Sequence, residues 1–246
     1  SMNGQNGHLN ELVMEQILSS YSPHEREMRR YGRPSIGSGL VFPVQEDKVI
    51  IEPFDIPQEW ARISAIDFGY DHPTAVVWLA WDKDEDVFYL YDCHRMSKAT
   101  PQIHSGYIKT RPHWIPMVFP HDGNRKDSMG NPGLADQYRS HGINMLLDHF
   151  TNPPALGEKK GGNSIETGIM AMLQAMENDR FKVFSTLSDW FEEFRMYHRK
   201  AGKIVPVRDD LMSATRYAFQ SMDRFGISGG EEDWSKEIEY KNMGIV

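Results

Sequence analysis

The chain has 246 residues, 39% of them hydrophobic, so it can form one large domain with a core or a domain with an extension. Its one cysteine, Cys93, excludes an internal disulfide and is expected to be a small buried side chain. No apolar run reaches the ~18 residues that span a bilayer, so we expect a soluble, cytoplasmic protein. The formal net charge of -8 has the wrong sign for tight, autonomous DNA binding, because phosphates need a basic partner surface.

Residues 1–58 are expected to form an N-terminal segment that precedes the main domain. Apolar residues recur at helical spacing in its first half, which predicts an amphipathic helix over 8–30. Two short apolar runs, 40–44 and 49–51, predict a small β-hairpin with the polar residues between them as its turn. A linker with prolines at both ends, 53–57, then leads into the main domain.

The main domain is expected over 59–226, followed by an acidic tail over 227–246 that is mobile or docks onto a partner. Apolar runs predict strands over 63–68, 74–81 and 87–93, and the short loops between them indicate antiparallel neighbours. Later patterns predict, in order, a helix over 101–109, a strand over 117–120, a helix over 133–140, a strand over 143–147, a helix over 163–176, a strand over 181–184 and helices over 187–200 and 211–222. This order predicts an α/β fold, a mixed sheet flanked by helices.

Acidic residues stand at the ends of three predicted elements. Asp67 lies at the end of the first predicted strand, before a glycine turn. Asp122 follows a later strand, and Asp209-Asp210 open the last helix. Each alone has an ordinary explanation, as a turn former, an Asx turn and a helix N-cap. Together they favour one metal site, because hard divalent cations prefer oxygen ligands and two such ions can bind the attacking and leaving oxygens of a phosphodiester.

Three short motifs occur in a fixed order: Asp67-x-Gly69 with His72-Pro73-Thr74-Ala75, the strand-end Asp122, and Asp209-Asp210-x-x-x-Ala214-x-Arg216-Tyr217-Ala218. In this order, and in this strand and helix context, they resemble the C-terminal nuclease domain of tailed-phage terminase large subunits, the DNA-packaging motors. The resemblance covers roughly residues 60–224, most of the chain.

The resemblance implies a ribonuclease-H-like fold and a function. The expected activity is that of a metal-dependent endonuclease that cuts double-stranded viral DNA when genome packaging starts or finishes. It also implies partners: double-stranded DNA, the terminase ATPase domain of the same full-length protein, the small terminase subunit and the portal. The expected location is the host cytoplasm.

The ligand set that the resemblance implies is Asp67, Asp122 and Asp210, with Asp209 as the alternate, around two Mg²⁺ or Mn²⁺ ions. One ion would activate the attacking water and the other would stabilise the departing 3′ oxygen. Relatives often carry a further acid three residues after Asp210, where this chain has Ser213. The third ligand therefore stays open between Asp209 and Asp210, and Asp210 is favoured because it shares a helical face with position 213.

Several other polar residues receive weaker expectations. Asp71 and Asp127 are candidates to orient metal-bound waters. His72, His94 and His121 flank predicted strand ends and are expected to lie at the surface or around the site rather than to bind metal directly. If the domain contacts DNA, it must use local basic clusters, which occur at Arg125-Lys126, at Lys159-Lys160, and at Arg195, His198, Arg199, Lys200 and Lys203.

Two rival functions remain open from the sequence. The Asp67-x-Gly69 turn with Thr74 also resembles the first phosphate motif of actin-like sugar kinases and chaperone ATPases, but a second glycine-rich phosphate loop and an adenosine motif are missing. The other rival is a portal or motor docking module with weak or no nuclease activity. The segment 157–162 lacks the order of a P-loop, and the absence of an HExxH motif gives no zinc-protease signal.

Overall fold

The computed structural model describes residues 39–125, 130, 132–153, 162 and 164–229. Within them the elements follow in this order: α1 (Glu46–Val49), β1 (Ile50–Ile51), β2 (Ala61–Asp67), β3 (Thr74–Asp82), β4 (Val87–Met96), α2 (Pro101–Ile108), β5 (Met117–Val118), a 3₁₀ helix (His121–Asn124), α3 (Leu134–Ser140), α4 (Ile165–Glu177), β6 (Phe181–Phe184), α5 (Ser188–Met196), β7 (Arg199–Lys200), β8 (Lys203–Ile204), α6 (Asp210–Phe225) and β9 (Ile227–Ser228). No helix in these ranges is long and apolar enough to cross a bilayer.

The main sheet has the strand order β1-β6-β4-β3-β2-β5, with β9 also pairing to β2. The central strands β2, β3 and β4 are antiparallel, as their short connections predict. In contrast, β6 runs parallel to β4 and β1, and β5 runs parallel to β2. The result is the predicted α/β mixed sheet, in which longer helical connections bring in the parallel strands.

Alternating residues of the central strands fill two separate cores. Ala65, Val77 and Leu79 point to the face that α4, α5 and α6 cover. Ile66 and Val76 point to the opposite face, where α2 and α3 lie. Because both faces are covered, the first seven residues of β3 are all buried.

Helix α6 packs across β2 and β3, which places its first turn near the end of β2. Its buried stripe consists of Leu211, Ala214, Ala218 and Met222, spaced by three or four residues. The two alanines let the helix backbone approach the sheet closely. This packing determines where the acidic start of α6 lies.

The predicted hairpin over 40–51 is wrong. Leu40 forms a bridge with His198, residues 46–49 make one helical turn, and Ile50–Ile51 pair in parallel with β6. The free edge of β6 offers hydrogen bonds to Ile50–Ile51, and a local hairpin would compete with that long-range pairing.

Two further boundaries differ from the sequence prediction. The segment 143–147 is not a strand, since only Met145 forms an isolated bridge, to Met117. The helix expected over 187–200 ends at Met196, and Arg199–Lys200 pair with Lys203–Ile204 as a hairpin. Its two turn residues have positive φ, 49° at Ala201 and 77° at Gly202, the backbone of a tight hairpin turn.

The ends of the chain stay largely as predictions. The helix expected over 8–30 and residues 230–246 lie outside the described residues. The first residues of the expected tail, Ile227–Ser228, pair with Ala61 and Arg62 of β2. The division into 1–58, 59–226 and 227–246 remains a prediction.

Candidate active site

Asp67 is the last residue of β2, opposite Ala75 on β3. The turn that follows is closed by Thr74, whose hydroxyl donates to the Gly69 carbonyl at 2.7 Å and accepts from the Gly69 amide at 3.2 Å. A Cβ at Gly69 would collide with the carbonyl oxygens of His72 and Pro73, so glycine is required there. The Asp-x-Gly and Thr pattern therefore forms a turn that fixes the position of Asp67. Both hydrogen bonds of the Thr74 hydroxyl described above are made to the backbone of this turn.

Asp122 reaches the same edge of the sheet from β5. Because β5 runs parallel to β2, with Val118 opposite Ala65, both strands end on the same side. Asp122 lies exposed in the 3₁₀ helix. That turn is anchored by Gly123, where a Cβ would come within 2.6 Å of both the Phe119 and Phe68 rings.

Asp209 and Asp210 are half-buried at the start of α6. Asp209 occupies the N-cap position but its side chain makes no capping hydrogen bond. Instead, the Leu211 amide donates to Glu193 Oε2 on α5 at 2.7 Å. The interpretation of Asp209 as the helix-capping side chain is therefore wrong.

The four acids share one electrostatic neighbourhood. The pKa of Asp67 is raised to about 8, first by burial and then by repulsion from Asp210, Asp122 and Asp209 in that order. Burial also raises the pKa of Asp209, with repulsion from Asp210 adding to it, and burial raises the pKa of Asp210. Arg216 opposes the shift at Asp67. The fold thus gathers residues that are 143 positions apart in the chain, Asp67 and Asp210, into one acidic site.

The donor chemistry of this site fits a hard divalent cation. Its acidic side chains offer only oxygen, and a cation would relieve the repulsion that raises the Asp67 pKa. Among the described residues, no three His, Cys, Asp or Glu side chains already converge as a complete ligand group. The carboxylates are close enough to repel one another without being gathered around a single point.

The other predicted polar residues fall in different places. Asp71, His72 and His121 are exposed, and the charge of His72 partly opposes the rise in the pKa of Asp209 and Asp210 that burial causes. Asp127 lies outside the described residues. His94 does not flank a strand end, since β4 extends to Met96, and its ring is buried on the α2 face.

Arg216 is a functional candidate to which the sequence analysis gave no role. Its side chain is 5% exposed, lies over the Tyr217 ring at 4.6 Å and the Phe150 ring at 5.3 Å, and has a buried Nη1 without a hydrogen-bond partner. It supplies positive potential to Asp67 from within the protein. The signal was available, because Arg216 lies on the helix that Asp209–Asp210 open, about two helical turns after them, and so on the same side of it.

Comparisons with known proteins agree with this architecture. A family model described as the terminase RNaseH-like domain matches residues 64–222. The chain belongs to the terminase RNaseH-like domain family. The ribonuclease-H-like fold and the resemblance to terminase large subunits are therefore confirmed.

Individual members of this terminase family are also similar. Over 219 residues the chain is 43% identical to the terminase large subunit of Salmonella phage P22, covering 89% of this chain and 42% of that relative. The structure of the P22 large terminase nuclease domain matches with 41% identity and a TM-score of 0.71, covering 79% of this chain and 97% of that one. The nuclease domain of the bacteriophage SPP1 large terminase, solved with bound Mn, shares the fold at 20% identity and a TM-score of 0.53, covering 72% of this chain and 97% of that one. This chain spans less than half of the P22 relative's length.

Proposed function

We propose that this chain is the nuclease domain of a packaging terminase and cuts double-stranded DNA by metal-dependent hydrolysis of phosphodiester bonds. The observation that carries the proposal is the meeting of Asp67 at the end of β2, Asp122 after β5 and Asp209–Asp210 at the start of α6 at one edge of the sheet, where their mutual repulsion raises the pKa of the half-buried Asp67. Clusters of acids with strongly shifted pKa values are found more often at functional sites than elsewhere in a protein, because repulsion between like charges is otherwise only destabilising. The similarity to the P22 nuclease domain supports the assignment.

Asp67, Asp122 and Asp210 would hold two Mg²⁺ or Mn²⁺ ions, with Asp209 as the alternate ligand. When bound, the ions supply an activated water and stabilise the leaving 3′ oxygen. Of the pair on α6, Asp210 has the larger electrostatic effect on Asp67, which supports it as the ligand. The bound Mn in the SPP1 nuclease domain supports the metal class.

The charge distribution supports weak DNA binding by this chain alone. Within the predicted basic cluster over 195–203, Arg195 pairs with Glu46 and Arg199 pairs with Glu166 at 2.7 Å. Arg125 is exposed three residues from Asp122, whereas Lys126, Lys159 and Lys160 lie outside the described residues. We infer that DNA is held largely by the ATPase domain of a longer protein, and that the small terminase subunit and the portal are its other partners in the host cytoplasm.

The test is plasmid cleavage by the 246-residue chain in Mn²⁺, with EDTA as the metal-free comparison. We expect nicked and linear plasmid only with the metal, and none from Asp122→Asn. Asp84→Asn is the matched control, because Asp84 is an exposed carboxylate in the β3–β4 turn, away from the site. A folded parental chain that cuts nothing in Mn²⁺ would contradict the proposal and favour the docking module.

A further inference from the structure

A buried carboxylate, Glu193, joins three elements behind the acidic site. Its side chain is fully buried on α5. Glu193 Oε1 accepts from Arg95 Nη1 on β4 at 2.9 Å, and Oε2 accepts from the Leu211 amide at the start of α6 at 2.7 Å. Both carboxylate oxygens are therefore used, one toward the sheet and one toward the helix.

The bond to Leu211 replaces the usual N-cap. The first amides of a helix have no partner within the helix and normally bond to the side chain that precedes it. Asp209, which stands at that position, makes no such bond. Because Glu193 satisfies the amide from another helix, the Asp209 and Asp210 carboxylates are not required for capping.

Arg95 connects this cap to the strand position of Asp67. Asp67 pairs with Ala75, and Ala75 pairs with Arg95, so the three residues form one row across β2, β3 and β4. Paired residues in a row point to the same face, and two strand spacings are about 10 Å. The second Arg95 nitrogen, Nη2, donates to Glu192 Oε2 at 2.9 Å, which fixes the guanidinium on α5.

We propose that the Arg95–Glu193 ion pair is a positioning device that sets where the Asp209–Asp210 end of α6 stands relative to Asp67, and so tunes metal affinity. This inference rests on the proposed metal-dependent function of the same site. The ion pair acts through the backbone of Leu211, the residue that follows Asp210.

The general docking of α6 is secured by other contacts. Trp190 Nε1 donates to Thr215 Oγ1 at 2.9 Å, one turn further along the helix, and the buried stripe of α6 packs on the sheet. Loss of the ion pair should therefore loosen the first turn while the rest of α6 stays in place. That difference separates positioning from simple structural support.

The experiment compares Glu193→Gln and Arg95→Lys with the parental chain. Gln retains the shape but offers only one acceptor, so its amide nitrogen must face either the Arg95 donors or the Leu211 amide, and the link from Arg95 to Leu211 is broken in both cases. Lys retains the charge but lacks the planar fork that reaches two carboxylates. Glu46→Gln is the matched control, because it breaks an ion pair made by the same helix, through Arg195. Arg95→Lys also keeps a positive charge beside the buried Glu193 carboxylate, so this variant is expected to fold.

Three quantities are measured for each folded variant: Mn²⁺ affinity by calorimetry, hydrogen exchange at the Leu211 amide, and the melting temperature. We expect Glu193→Gln and Arg95→Lys to bind Mn²⁺ about tenfold more weakly, as for other groups that orient metal ligands, with faster exchange at Leu211. Glu46→Gln should stay within about twofold in Mn²⁺ affinity, since exposed ion pairs contribute little.

Unchanged Mn²⁺ affinity in both variants would overturn the positioning role, whatever happens to the melting temperature. An equal loss of affinity in Glu46→Gln would also overturn it, because the effect would then be general destabilisation. Failure of the proposed function has a different signature, since the parental chain itself would neither bind Mn²⁺ nor cut DNA.

Discussion

The two faces of the main sheet bury titratable groups in opposite ways. On the α6 face, Asp67 lies among like charges, and its pKa is raised to about 8. On the α2 face, His94 Nε2 lies 3.2 Å from His104 Nδ1, and the His94 ring stacks on Tyr107 at 4.2 Å. Burial and the neighbouring His104 lower the pKa of His94 to about 4. The histidines stay neutral and make contacts, whereas the acids accumulate repulsion.

This difference separates a structural group from a functional one. Neutral histidines can share a proton in a hydrogen bond and pack as aromatic rings, so their burial is compatible with stability. Three half-buried acids, Asp67, Asp209 and Asp210, with the exposed Asp122 beside them, are destabilised by desolvation and mutual repulsion in the absence of a cation. Under the proposed function, the acids on the α6 face lower the stability of the fold in return for a metal site, whereas the α2 face is ordinary core.

The largest effect is expected for Asp67→Asn, which should abolish cleavage and raise stability. A group whose folded pKa lies above its ordinary 3.8 loses stability as pH rises from that value to about 8. The gain in the variant should be absent below pH 3.8, grow with pH and level off above about pH 8, reaching several kcal/mol with an upper bound of about 6 kcal/mol at about 1.4 kcal/mol per pKa unit. Thermal melting in EDTA across this pH range measures it.

Asp84→Asn serves as the control for both readouts, since its carboxylate is exposed in a turn. It should neither stop cleavage nor show a gain that grows with pH. If Asp67→Asn proved less stable than the parental chain at pH 8, the Asp67 carboxylate would stabilise the fold, and the prediction would be wrong.

The second prediction separates the two acids of α6. Asp210→Asn should abolish metal-dependent cleavage, because Asp210 has the stronger electrostatic effect on Asp67. Asp209→Asn should only lower the rate. Cleavage by both variants over a range of Mn²⁺ concentrations decides the assignment, and full activity in Asp210→Asn with none in Asp209→Asn would reverse it.

Much of the fold was predictable because its signals are local. The strands β2, β3 and β4 have apolar runs bounded by short polar turns, and α6 has a clear apolar stripe, so both were located to within three residues at each end. The segment 40–51 was not, because its pairing to β6 depends on residues more than a hundred positions away. The residues of a segment do not indicate whether a strand far away in the sequence has a free edge to which the segment can pair.

The same distinction holds for the site. Asp67, Asp122, Asp209 and Asp210 were found from their positions at element ends, and the structure places them in one neighbourhood. Glu193 was missed, because an acid in the middle of an amphipathic helix looks like a solvated residue. Its burial follows from contacts with Arg95 and Leu211, which belong to other elements.

The third prediction concerns the α2 face and has the opposite pH sign. A histidine with a lowered folded pKa stabilises the fold above its ordinary 6.5, and that stability is lost as pH falls toward 4. We expect the parental chain to lose about 3 kcal/mol over this interval through His94. The stability difference between the parental chain and His94→Gln should therefore shrink as pH falls, with exposed His121→Gln as control. A constant difference from pH 8 to pH 4 would contradict this.

The smallest effect is expected for the stability of Asp209→Ala, which tests whether Asp209 belongs wholly to the acidic site. A capping Asp replaced by Ala usually costs about 1 kcal/mol. Asp209 makes no side-chain cap, and Glu193 bonds to the Leu211 amide in its place. We therefore expect a change in unfolding free energy within about 0.5 kcal/mol, or a slight gain from reduced repulsion with Asp210. Urea unfolding in EDTA measures it. A loss of 1 kcal/mol or more, as for a true N-cap, would show that Asp209 also stabilises the helix. Asp209 would then be both a structural residue and a member of the acidic site.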